Sequence, residues 1–123
     1  MVGGDEITRA DGFDDGMLRE LADLIGPDGI AAALDTFDAD LRQGVAGLES
    51  ALAAQDAAAL RRHAHRVRGL LMQFGAIAAG GRAAAIESAP DGEAFAACPG
   101  LVAAMPGVAA RLRAMAARLA AQG

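Results

Sequence analysis

Nine consecutive residues, Arg61-Arg62-His63-Ala64-His65-Arg66-Val67-Arg68-Gly69, hold both histidines of the chain and four of its arginines. Two chemistries suggest themselves. His-Ala-His looks like a chelating pair, but residues two apart on a helix diverge by about 200°. The two rings cannot share an ion, so no metal site is read here and His63 is assigned to the edge of the core. The other chemistry is an imidazole nitrogen held open to solvent. Counting about 100° per residue from Leu60, His65 falls at about 140°, nearly opposite the apolar seam of Leu60, Ala64, Val67, Leu71 and Phe74. Arg61 and Arg68 flank it at about 40° and 60°. Gly69 is its i+4 neighbour, and helical side chains lean toward the N-terminus, so a larger residue there would reach back over His65. A mid-helix glycine is destabilising. Spacing alone leaves two readings: a glycine that opens the imidazole, or one merely tolerated like Gly44 and Gly47.

Helices must carry these residues. Asp56 is a good N-cap for the helix bearing the seam, and Gly75 ends or bends it. Before it, Leu18, Leu21 and Ile25 predict a first helix from about residue 14, stopped by Gly26-Pro27-Asp28-Gly29. Leu34, Phe37, Leu41, Val45, Leu48 and Leu52 predict a second from about 30 to 54, whose Gly44 and Gly47 either admit a close neighbour or are tolerated. A fourth covers about 76 to 89, and Pro90-Asp91-Gly92 turns the chain. Pro99-Gly100 and Pro106-Gly107 punctuate the next stretch, and Val108, Leu112, Met115 and Leu119 mark a last helix over about 107 to 121. Residues 1–12 read as a flexible N-terminal arm, and 13–123 as one helical domain.

Composition narrows the class. Alanine supplies 33 of 123 residues and aromatics only 3%, which suits helices approaching on small side chains and gives a sheet little to pack. A net charge of −5 argues against nucleic acid as a partner. Cys98 is the single cysteine and has no internal partner for a disulfide. The first residues lack the basic and apolar regions of a signal peptide, and no stretch reads as a membrane span, so the expectation is a cytoplasmic, all-α bundle without membrane contact.

The string His65-Arg66-Val67-Arg68-Gly69-Leu70-Leu71-Met72-Gln73-Phe74-Gly75-Ala76 resembles the signature of histidine phosphotransfer (Hpt) domains, the helical intermediates of bacterial multistep phosphorelays. That pattern runs His, any residue, apolar, Lys, Gly, small residues, then an apolar residue before Gly-Ala. The likeness extends upstream through Leu18 to Leu21, Ile25 to Asp28, Phe37 and Asp56-Ala57, and downstream to Ile86-Glu87. It covers about residues 15–90, and the last 30 residues match only as a generic closing helix. Arg68 stands where the family has Lys, keeping the charge but changing donor geometry. Leu70 and Leu71 replace small residues.

The resemblance implies an antiparallel four-helix bundle, here with an additional N-terminal helix, and His65 exposed on a central helix as phosphoacceptor. Arg68, and with it Arg61, would balance phosphoryl charge, Gly69 would leave the ring open, and Glu87 would accept the Nδ1 proton so that Nε2 attacks. Partners would be a receiver domain of a response regulator or a hybrid histidine kinase, docking on Met17, Leu18, Arg61, Leu70 and Met72, with Leu21 another candidate from the first helix. The receiver would bring the phosphorylated Asp and Mg²⁺. The chain itself would be a carrier rather than an enzyme, without cofactor, and a monomer. Two other readings stand beside this one: a non-catalytic adaptor of the same fold, and the dimerisation helices of a sensor kinase. The latter fits poorly, because Arg66 and Leu70 match neither the acid nor the proline of that family.

Overall fold

The computed structural model describes residues 12–122. Four helices fill them: α1 (Asp15–Ala53), α2 (Ala57–Gln73), α3 (Ile77–Ser88) and α4 (Asp91–Gln122). No strand occurs among the described residues. Joints this short force reversal, so consecutive helices pack antiparallel and α4 closes the bundle against α1. Asp14 and Asp56 cap α1 and α2, their carboxylates accepting from Gly16 N and Ala59 N at 3.0 Å each. Residues 1–11 of the expected arm lie outside the described residues. Gly12, assigned to the same arm, is bonded: its carbonyl accepts from Ala78 N at 3.0 Å.

The two expected N-terminal helices are one element with a kink. Only Gly26 leaves helical space, at φ 76° and ψ 173°. Pro27 follows it, where a missing N–H loses little because the helix is restarting. The kink carries Ile25 out of the seam assigned to it. Ile25 is exposed and lies back over Gly29, where an added Cβ would come within 2.8 Å of Ile25 Cβ.

A second correction concerns α4, which runs unbroken through Pro99 and Pro106. Both rings face solvent. The buried stripe Ala94, Cys98, Leu101, Met105, Leu112 and Met115 continues across them at helical spacing. Each proline removes one backbone hydrogen bond and costs about 3 kcal/mol. Packing of the stripe outweighs that. By length and composition α4 is also apolar enough to cross a bilayer, contrary to the sequence reading, since residues 94–110 carry no charge.

One apolar core joins all four helices. Phe37 of α1 meets Phe74, just after α2, edge-on with ring centroids 5.0 Å apart. The α1 seam departs slightly from expectation: Gly44 and Ala51 are buried, while Val45 and Leu52 only flank the core. The reason is close approach of α2. A Cβ on Gly44 would stand 2.6 Å from Val67 Cγ2, and one on Gly47 would collide with the His63 ring. Both glycines are therefore contact residues. Arg113 ties α4 to α1 through Asp35 (2.6 Å) and Asp38 (2.7 Å), and these hydrogen bonds, Asp38's foremost, hold its guanidinium above its ordinary pKa.

Two outcomes follow. Gly75 sits at φ 82°, and a Cβ there would meet Asp14 O at 2.6 Å; Gly75→Ala is expected to lower stability by about 1–3 kcal/mol, read from the urea midpoint. Burial and then the Glu49 charge push the Cys98 thiol up, so at neutral pH it holds less thiolate than a free cysteine. Its labelling by a thiol reagent should stay slow until denaturant unfolds the chain.

Candidate functional site

His65 stands at the middle of α2, whose inward face is fixed by Leu60, Ala64, Val67 and Leu71, all 0% exposed. Its own side chain is 68% exposed. The helix thus presents opposite chemistries on opposite sides: a seam that cannot move and a ring that solvent reaches.

Across the groove between α2 and α3, Glu87 Oε1 lies 2.7 Å from His65 Nδ1. This contact selects a tautomer. A carboxylate cannot sit that close to a nitrogen lone pair, so Nδ1 carries the proton and donates it to Oε1, leaving the lone pair on Nε2. Arg68 Nη2, 3.3 Å from the same Nδ1, then faces a second donor and is a neighbour rather than a hydrogen-bond partner. Its Nη1 lies 3.1 Å from Glu87 Oε2. No N–H is aimed well enough at that buried oxygen to count as a hydrogen bond, so the link is an ion pair. One carboxylate thus holds the imidazole through one oxygen and the cation through the other.

Around the ring, Gly69 is exposed, and an added Cβ would meet nothing within 4 Å. Packing within the chain does not account for this glycine. Met72 is 37% exposed, and its sulfur lies over Gly80 of α3, where a Cβ would come within 2.5 Å. Leu70 is half-buried against the core, and Met17 is half-buried beside Gly75.

Two expected surface residues are not there. Leu18 is 0% exposed. Asp14 N donates to Gly75 O at 2.8 Å, which docks the start of α1 on the α2–α3 joint and turns Leu18 inward. Arg61 is committed elsewhere: Nη2 donates to Ala89 O at 2.8 Å and pairs with Asp91 Oδ1 at 2.6 Å. It clamps the end of α3, two residues beyond Glu87, and does not stand as a free cation by the ring. The clamp, the Arg68–Glu87 pair and the Gly80 seat escaped the sequence reading. The Gly80-Gly81 pair within α3 was the available signal for the last. Among the described residues no group of three or more His, Cys, Asp or Glu side chains is arranged to hold a metal.

Glycine 69 supplies a direct check. With open space at Cβ and helical surroundings, Gly69→Ala should raise stability by about 0.5–1 kcal/mol in thermal or urea unfolding.

Over residues 32–122 the chain matches the protein family described as Hpt domain. The match takes in the last helix, which the sequence reading treated as generic, and leaves out the first turns of α1. No curated protein and no solved structure matches the chain.

Proposed function

Since the chain belongs to the Hpt domain family, whose role is histidine phosphotransfer in phosphorelay signalling, we propose that His65 is its phosphoacceptor and Nε2 the attacking atom. The observation that carries this is the 2.7 Å contact of Glu87 with Nδ1 on a ring otherwise open to solvent. Nε2 attacks the phosphorus of an aspartyl phosphate on a receiver domain. The N–P bond forms as the acyl O–P bond breaks, and the aspartate carboxylate leaves. The ring becomes positively charged, and Glu87 stabilises it through the Nδ1 proton it already accepts. Passage to a second receiver reverses these steps.

Arg68 balances the phosphoryl charge. Its side chain is 40% exposed and its guanidinium adjoins the ring, so a modest swing from Glu87 Oε2 reaches an anion on Nε2. This chain contributes the nucleophile and its orientation, and is a carrier rather than an enzyme. The receiver contributes the phosphoaspartate and its Mg²⁺, which neutralises charge on the phosphoryl oxygens during transfer. Docking uses the rim of the ring, with Gly69 giving clearance and Met72, Leu70 and Met17 giving apolar contact. Methionine suits a surface that accepts more than one receiver.

The test is transfer from a phosphorylated receiver. The native chain should acquire acid-labile, base-stable label and His65→Gln none, with far-UV circular dichroism unchanged. Label persisting in that variant removes the site, and a native chain that binds the receiver without label is an adaptor. Glu87→Ala should slow transfer by roughly 10–100-fold through loss of the tautomer. Glu87→Gln, which keeps an acceptor for Nδ1–H, should fall between the two.

A further inference from the structure

On the α1–α4 side of the bundle, away from the α2–α3 side that carries His65 and Glu87, lies an open groove of about 570 Å³. Leu41, Val45, Val102, Met105, Pro106 and Ala109 give it an apolar lining. Leu41 and Met105, 5% and 3% exposed, form its floor, and Val45, Val102, Pro106 and Ala109 are its half-buried or exposed walls. Three charged residues of α1 edge it: Asp38, Arg42 and Glu49. Asp38 is taken by Arg113. Arg42 and Glu49 form no hydrogen bond or ion pair among the described residues.

We propose that this groove is the interface of a symmetric homodimer, each copy laying the outer ridge of α1 into the groove of the other. The charges select a second copy as occupant. Arg42 and Glu49 are seven residues apart, on one face of α1 and about 10 Å apart along it. A twofold axis perpendicular to α1, passing beside it between the two copies at the level of Val45 and Ala46, runs the two ridges antiparallel. It sets Arg42 against the partner's Glu49, and Glu49 against the partner's Arg42. That reciprocity is what a twofold interface requires. Shape agrees, because a single helix is convex and the valley between two helices is concave. Two adjacent helices about 40 Å long present roughly 800 Å² per subunit, the area a stable interface buries. Both imidazoles stay outside the contact, so the dimer offers two independent docking sites. The inference goes beyond the relay reading and does not depend on it, and its test separates a dimer from the monomer that the family resemblance implies.

Sedimentation velocity over a concentration series tests it, on the native chain, Arg42→Glu, Glu49→Arg and the double exchange. The native chain should dimerise, each single exchange should weaken the dimer about tenfold or more by setting like charges together, and the double exchange should restore it. Far-UV circular dichroism of the three exchanged chains should match that of the native chain. A native chain that stays monomeric, or a dimer indifferent to both exchanges, overturns the proposal. Cosedimentation of a monomeric chain with phosphatidylglycerol vesicles would assign the face to a membrane and overturn it equally.

Discussion

A carboxylate oxygen on α3 and a ring nitrogen on α2, 2.7 Å apart, set the tolerance to which the surrounding bundle must be built. A hydrogen bond weakens over a few tenths of an ångström and a few tens of degrees, so α3 has to be fixed in height and in rotation relative to α2. Both ends of α3 are tied down. At its start, Gly75 reverses the chain at a positive φ, and its carbonyl takes the Asp14 N–H. At its end, Arg61 of α2 grips Ala89 O and Asp91. Between them Met72 of α2 lies over Gly80. Arg68, held by the second oxygen of Glu87, is positioned by the same registration.

Small residues make this spacing attainable. Ala64, Ala79 and Ala83 are buried in the core, and Gly44 and Gly47 bring α1 onto Val67 and His63. With few aromatic rings to fill space, close approach of backbones supplies the packing density that larger side chains supply elsewhere. The dense inner face also makes α2 a rigid mount. Val67 and Leu71 are sealed while His65, on the same helix, is open. Glu87, at 20% side-chain exposure, works in a less polar setting than the ring it orients, which strengthens its hold on the Nδ1 proton.

The residues where reading and structure part have a common cause. Ile25 lies on an apolar repeat yet is exposed, because a single positive φ at Gly26 changes the helix direction just after it. Leu18 suits a docking surface by the family resemblance and a seam by its spacing with Leu21, and the Asp14–Gly75 bond turns it into the core. Pro99 and Pro106 look like stops, but the stripe through Cys98, Leu101 and Met105 was present at helical spacing across both. There the burial of a whole face outweighs a local rule. Arg61 has the right angle on α2 to serve His65, and a carbonyl and carboxylate beyond α3 draw it away.

What the sequence by itself determined is what a single helix determines: which residues of α2 face inward, that His65 lies nearly opposite them, and that Gly69 and Arg68 adjoin it. Those follow from a fixed turn of about 100° per residue, which needs no knowledge of neighbours. The family signature added Glu87 as a partner for the ring. Only the tertiary structure decided that its carboxylate reaches Nδ1, that it binds Arg68 as well, that Arg61 is spent on the end of α3 and that Leu18 is core. Each of those depends on the rotation and height of one helix against another, set by bonds between residues far apart in the chain, such as Arg61 with Asp91. Periodicity within one element carries no record of them.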